Sequence, residues 1–341
     1  TLSNWYLSDD SDELRKWEIP PATVVAAGSW IWFDEVHDFH NPITNGFGLD
    51  KAGEQLFLSH LPMTDEDRVV DCLRFKGQEN NVSLGRHADG DPYWFQTTPT
   101  TNAANARPAE HVVISEFAYH PAPTTANPAD NTNDEFIEIH NPTDAPVELW
   151  NAAGTWRIDG GVDYRFPPGT TLPAGGYLVV VSFDPTVAVA LDAFQDVHGL
   201  TNGEITVLGP FAGELSNGGG RVALERPQAP DVPTESVSWV IVDEVIYFDQ
   251  SPWPVAVDGS GHSLTRKAGI TAGRDPLAWT AQSVPSPGRQ SPAVTFYGLH
   301  ALAVTTSSAT LHATLDAERT NAAARVHWGL ADGGKNSGAW P

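Results

Sequence analysis

A chain of 341 residues exceeds what one hydrophobic core usually serves, so two or three domains are expected. With 40% hydrophobic and 18% charged residues it has the apolar material to fold, while 43 acidic against 19 basic residues give a net charge of −24 that repels nucleic-acid backbones and anionic membranes. One cysteine, Cys72, excludes an intrachain disulfide and any cysteine metal cluster.

The opening residues, TLSNWYLSDD, carry neither a basic nor an apolar targeting region. No apolar run approaches the ~20 residues that a membrane helix requires, so no membrane insertion is expected. Because the pattern opens in mid-motif and without Met, the segment reads as part of a longer precursor. The 30 Gly and 27 Pro fall between short apolar runs, the punctuation of many strands joined by turns.

Between residues 1 and 106 the runs are NWYLSDD, KWEIPPATVVAAGSWIWFDE, FGLDKAGEQLFL, RVVDCLRF and VSLGRHADG. His111 to Phe117 is then a short apolar run, Glu135 to His140 alternates with period two, and Pro146 to Trp150 and Thr155 to Ile158 are short strands. Gly176 to Ser182 (GYLVVVS) is apolar without interruption, as suits a central strand buried on both faces. Arg221 to Glu225, Ser238 to Tyr247 and His262 to Arg266 complete a series that argues a sandwich or barrel. No segment holds a helical period; Pro185 to Phe194, rich in β-branched residues, reads as a single short turn, a loop or a strand. Beyond a linker at 286–296, AVTTSSATLHATL and ARVHWGL read as the opening strands of another β module.

An internal repeat organises these runs. IPPATVVAAGSW at 19–30 aligns with FPPGTTLPAGGY at 166–177, with Pro20/Pro167, Pro21/Pro168, Thr23/Thr170, Ala27/Ala174 and Gly28/Gly175 identical and Trp30 facing Tyr177. Val70-Asp71 matches Val242-Asp243, and Ser83-Leu84-x-Arg86 matches Ser263-Leu264-x-Arg266. Nothing in the first copy corresponds to ISEF and EFIEIHNP, which open the second. A sandwich without those strands exposes sheet edges, which predicts loss from a longer chain, strand addition by a neighbouring copy to give a dimer or filament, or cover by the second domain.

The order ISEF, NDEFIEIHNPTDAPVEL, a Trp-containing strand, RFPPGTTLPAGGYLVVV, NGGGRVAL, VDEVIYFDQSPWPVAVDGSGHSL and DPLAWTAQSVPSPG resembles the bacterial lamin-tail domain across 111–288. The first copy resembles the same domain from its middle onward. The resemblance implies an all-β fold of tandem immunoglobulin-like β-sandwiches: an N-terminally incomplete one over 1–106 and a complete one over 107–290. It also implies a place in large secreted or cell-surface bacterial proteins. AVTTSSATLHATL and ARVHWGL resemble the early strands of a fibronectin type III-like module, partial over 291–341.

Motifs for catalysis are absent: there is no G-x-S-x-G, H-E-x-x-H or G-x-G-x-x-G. Gly329 to Asn336 (GLADGGKN) approaches a phosphate loop but ends in Asn where Ser or Thr should ligate Mg²⁺, so it reads as a hairpin turn. Two clusters carry metal-type ligands. Asp34, Glu35, His37, Asp38 and His40 stand close enough for Zn²⁺ or Ca²⁺, or for a polar loop; Asp130, Asp134 and Glu135, with Asn131 and Asn133, suit Ca²⁺ or an Asx-rich turn. Trp253, held between Pro252 and Pro254, is a candidate sugar-stacking platform, followed by Trp94 and Trp32. The competing reading makes such rings core filling, with Trp5, Trp17, Trp30, Trp156 and Tyr177 at core-facing positions.

These readings predict a non-catalytic structural or adhesive module with no required cofactor, Ca²⁺ being the one ion with candidate seats. Its expected partners are other domains of the same polypeptide and neighbouring copies, not nucleic acid. The alternative is a carbohydrate-binding accessory domain whose partner is a polysaccharide.

Overall fold

The structure is a computed structural model that describes residues 1–40, 46–125, 127–201, 203–269 and 271–289, and the backbone of 295–302 and 310–316. It divides into two compact units, Thr1–Arg289 and Gln290–Pro341. Both are built from β-strands, as the alternating runs predict.

Residues 1–106 form β1 (Trp5–Ser8), β2 (Trp17–Glu18), β3 (Gly53–His60), β4 (Arg68–Lys76), β5 (Ser83–Arg86) and β6 (Trp94–Thr97). They make an antiparallel sheet in the order β2-β1-β3-β4 and a separate β5–β6 hairpin. Next come β7 (Val113–Ala118), β8 (Phe136–His140), β9 (Val147–Glu148), β10 (Trp150–Asn151), β11 (Gly154–Thr155), β12 (Arg157–Gly160), β13 (Val162–Arg165), β14 (Thr171–Leu172) and β15 (Tyr177–Val181). Helix α1 (Ala188–His198) leads to β16 (Thr206–Leu208), β17 (Ala212–Gly213), β18 (Gly219–Gln228), β19 (Ser238–Phe248), β20 (Ser263–Arg266) and β21 (Trp279–Gln282). The two main sheets run β17-β13-β12-β18-β19 and β16-β15-β8-β7-β20-β21.

Period-two alternation fills the space between these sheets. Ile137 and Ile139 of β8 and Leu178 and Val180 of β15 meet Ile158 and Leu224 of the opposite sheet, each at most 2% exposed. Burying one such side chain stabilises the fold by about 1.5–3 kcal/mol. The intervening Val179 and Val181 face outward, yet they are covered by Phe194 and Leu200 beside Phe136. That second layer accounts for the uninterrupted apolar run of β15.

Helix α1 departs from the sequence reading, which placed at most a short turn at Pro185–Phe194. The eleven-residue helix is the crossover that the parallel β15–β16 pairing requires. It buries Phe194 while leaving Val189 and Val197 exposed, so contact with the sheet outweighs its β-branched content. Gly199, at φ 61, ends it in the left-handed region, and the Leu200 amide donates to the Gln195 carbonyl at 2.8 Å.

Some strand orders recur between residues 1–106 and the larger sandwich. The order β2-β1-β3-β4 parallels β13-β12-β18-β19, and β5–β6 parallels β20–β21. Both long hairpins shift register at matched places, between Leu58 and Ser59 and between Leu224 and Glu225. Their first strands open on Gly53 (φ 125) and Gly219 (φ 123), where an added Cβ would lie within 2.7 Å of Lys76 Cα and 2.6 Å of the Tyr247 oxygen respectively. Arg86 pairs with Asp71 at 2.7 Å and lies 4.4 Å from the Trp94 ring; Arg266 pairs with Asp243 and lies 5.7 Å from the Trp279 ring.

What differs is burial. Among the described residues, the buried apolar side chains of 1–106 are Ile19, Phe39, Phe47 and Leu61, and both core clusters lie beyond residue 111. Trp30, expected to face a core, is 44% exposed, with its ring N–H donating to Asp89 Oδ2 at 3.0 Å. The end of the first sheet and the β5–β6 hairpin instead meet β19: Gly77 N donates to Trp239 O at 2.8 Å and Gln96 Nε2 to Ile241 O at 2.8 Å.

In the smaller unit, β22 (Thr295–Leu302) and β23 (Thr310–Asp316) pair antiparallel. The rest of the fibronectin type III-like module expected over 291–341, with ARVHWGL and GLADGGKN, lies outside the described residues.

Candidate functional sites

The segment Asp34–His40 folds into one wide turn over Glu35–Phe39, and its charges serve that turn. Asp34 Oδ1 accepts from the His37 amide at 2.7 Å, both Asp34 oxygens lie 2.9 Å from His37 Nδ1, and Asp38 Oδ2 accepts from the Asp34 amide at 2.9 Å. These hydrogen bonds from the His37 backbone and ring hold the Asp34 carboxyl below its usual range. Glu35 Oε1 is 3.9 Å from His40 Nδ1. Phe39 anchors the turn by stacking on Phe47 and meeting Trp17 edge-on. Asn41 to Asn45, the rest of this loop, lie outside the described residues.

The second cluster is split. Asp134 Oδ2 accepts from Asn131 Nδ2 at 2.6 Å, and the same amide donates to Ala122 O, so Asp134 holds the Asn131 side chain in place. Asp130 and Glu135 come together elsewhere, with Asn217 as a third member that the sequence did not point to. Asn217 Nδ2 donates to Asp130 Oδ2 at 2.9 Å, and the Leu215 amide donates to Glu135 Oε2 at 2.9 Å. Asp130 Oδ1, Glu135 Oε1 and Asn217 Oδ1 are buried without a hydrogen-bond partner. Glu135 is fully buried, and desolvation, reinforced by the neighbouring Asp130 and Glu214 charges, pushes its carboxyl up to about 8. Among the described residues, no group of three or more His, Cys, Asp or Glu is arranged to hold a metal ion.

The three tryptophans do not form a platform. Trp253 is 4% exposed, packed into the core with its ring centroid 6.3 Å from that of Trp279, so the flanking prolines place it inward rather than present it. Trp94 is half-buried under the Arg86 guanidinium and lines a cleft of about 380 Å³ with Leu73, Phe75, His111, Ile241 and Arg274. Trp32 is 54% exposed, on the segment that also carries Trp30.

Sequence reasoning missed two buried charge systems. Glu116 and Glu138 are direct cross-strand partners on β7 and β8, each 1% exposed. Glu116 accepts from Ser263 Oγ (2.5 Å), Ser286 N (2.9 Å) and Ser286 Oγ (3.0 Å); Glu138 accepts from Ser115 Oγ (2.5 Å) and Gly288 N (2.6 Å). Burial raises both carboxyls, and Glu116 raises Glu138 further, so the pair favours holding a proton while it clamps the closing SPG segment. The second system centres on Glu225, fully buried, which accepts from Arg157 Nη2 at 2.7 Å, Arg221 Nη2 at 2.8 Å and Lys76 Nζ at 2.5 Å. Period-two alternation would have marked Glu116 and Glu138 as solvent-facing, which is why they escaped notice.

A family profile described as Lamin Tail Domain matches residues 105–240, which supports an immunoglobulin-like lamin-tail domain over that stretch. Among solved structures, a DUF4876 family protein from Bacteroides thetaiotaomicron is similar at 12% identity and a TM-score of 0.34, over 73% of this chain and 86% of that one. No curated protein matches the chain.

Proposed function

We propose that the chain is a non-catalytic structural or adhesive segment of a large secreted or cell-surface bacterial protein, built from tandem lamin-tail-like sandwiches. The observation that carries this reading is where the reactive groups go. Carboxylates and histidines bond to their own turns, to strand ends, to one another or to buried cations, and where a hydroxyl does meet an imidazole, Ser260 Oγ 2.6 Å from His262 Nδ1, the pair is exposed and lines none of the described clefts. The matched strand order and the paired register shifts support two copies of one module. The lamin-tail match over 105–240 supports the module's kind. Its partners are then other domains of the same polypeptide, and no cofactor is required.

The experiment is a screen for turnover of ester, peptide, phosphodiester and glycoside substrates. No turnover is expected, and an activity abolished by His37→Ala or His40→Ala would refute the reading. The carbohydrate-binding alternative retains Trp94 and Trp32 without the buried Trp253. Saturable quenching of tryptophan fluorescence by a polysaccharide, lost in Trp94→Ala, would favour it instead.

A further inference from the structure

After β21 the chain crosses the outer face of β7 and β8, the face on which Val179 lies opposite Glu138, without forming a strand. Glu116 of β7 takes the Ser286 amide and hydroxyl, Glu138 of β8 takes the Gly288 amide, and the His198 ring of α1 meets the Pro285 backbone. Arg289 reaches Glu204 Oε1 at 2.9 Å and the Gly199 carbonyl at 2.7 Å. Pro285 and Pro287 have no amide, so Ser286 and Gly288 are the donors that the two carboxyls hold. Gly288, at φ 78, seats the segment so closely that an added Cβ would lie 2.0 Å from Ile205 Cγ2.

Beneath this segment two carboxyls stand side by side, and among the described residues no Lys or Arg bonds to either. The groups that face them are neutral: Ser115 of β7, Ser263 and Thr265 of β20, and Ser286 and Gly288 themselves. The charges around the segment are occupied elsewhere, Arg289 with Glu204, and Asp134 beside His198. Burial, and for Glu138 the adjacent Glu116 charge as well, makes both carboxyls hold their protons above the ordinary 4.5 while the segment covers them. Once it lifts, water reaches them and they return toward that value. The covered state is therefore fully favoured below pH 4.5 and weakens as pH rises. His198 acts in the opposite sense and on the acid side. Burial holds its ring down to about 4 from an ordinary 6.5, so it favours opening as pH falls below 6.5 and has no effect above that.

We propose that residues 284–289 are a strap that the Glu116–Glu138 pair holds shut at neutral pH and releases in alkali, lengthening the free chain that follows β21. The strap is the part of the sandwich suited to move. It adds no strand to either sheet, its central bonds end on the one carboxyl pair, and the residue that locks it down is a glycine. Its opening is local, since β7 and β8 keep their ladder to each other and to β15 when it lifts.

The test is hydrogen exchange on the full chain from pH 6.5 to pH 9, where His198 stays neutral. It is read at the amides of Val284, Ser286, Gly288 and Arg289, each rate divided by the unprotected rate at the same pH. The strap should be less protected than β8 and β15, whose exchange reports global opening, and its protection should fall about ten-fold per pH unit for each proton released. Glu138→Gln, which cannot ionise and keeps an oxygen for the Gly288 amide, should flatten that fall. Glu116→Gln should do the same and serves if the first variant folds poorly. Gly288→Ala should remove the protection at every pH while β8 and β15 keep theirs. Protection that is constant with pH, a slope that both glutamine variants leave unchanged, or a strap that exchanges in step with β8 throughout would each overturn the proposal. None of these readouts involves turnover, so failure of the strap and failure of the non-catalytic reading are told apart.

Discussion

Replacing Glu135 by Gln should stabilise the protein at neutral and alkaline pH. Glu135 is fully buried, with its carboxyl raised from an ordinary 4.5 to about 8, desolvation being the largest cause. A carboxyl raised in the folded state is most compatible with folding below its unfolded value, and the contribution is lost as pH rises through the folded one. Wild-type unfolding free energy therefore falls between about pH 4.5 and pH 8. Across that window the unfolded chain has released a proton that the folded chain still holds, which costs about 1.4 kcal/mol of stability for every pH unit climbed. The loss from this group is then on the order of 3 kcal/mol by pH 7 and levels off above pH 8. Glutamine is neutral, keeps an oxygen for the Leu215 amide, and brings an N–H₂ to the neighbourhood of Asp130 Oδ1 and Asn217 Oδ1, which lack donors. Urea denaturation of wild type and Glu135→Gln from pH 5 to 9 should show curves that converge at the acid end and diverge by roughly 4–5 kcal/mol at the alkaline end. The raised Glu116 and Glu138 slope the same way in both proteins and cancel in the difference. Parallel curves across the range would refute the assignment.

Melting should be the same in chelator and in millimolar Ca²⁺, because the Asp134 side chain is bonded to Asn131; a rise with Ca²⁺ that disappears in Asn217→Ala would instead place an ion among Asp130, Glu135 and Asn217. Trp253→Ala should cost about 3–5 kcal/mol of stability, measured by denaturant unfolding, as expected for a large side chain removed from a core. Glu116→Ala should speed hydrogen exchange across 284–289 and destabilise by roughly 2–4 kcal/mol, since Ser263 and Ser286 lose their buried acceptor.

The matched Pro-Pro and Val-Asp markers were legible because they answer backbone requirements. The Pro-Pro pairs and the Val-Asp dipeptides at 70–71 and 242–243 sit at turns and at the register shifts, where few other residues serve. The run GYLVVVS announced burial on both faces but not what covers the second one. That was α1, whose Val187 and Val189 argue against a helix until the parallel β15–β16 pairing demands a crossover. Pro-Trp-Pro fixes a ring in a loop without saying which way the loop folds, so Trp253 read both as a platform and as a lid on the core, where it lies at 4% exposure. Asp130 and Glu135 were readable as neighbours in sequence, whereas Asn217 joins them only through the fold, 87 positions away from Asp130.

Lys76 belongs to β4, the last strand of the N-terminal sheet, while the carboxylate it meets, Glu225, lies on β18 of the larger sandwich. Pulling the two apart would leave that carboxylate with two guanidinium partners and expose polar backbone that now ends on Trp239 and Ile241. Such a rivet is shielded from added salt in a way that surface pairs are not. Residues 1–289 should therefore tumble as one body and transmit tension along the chain without a hinge between the N-terminal sheet and the larger sandwich.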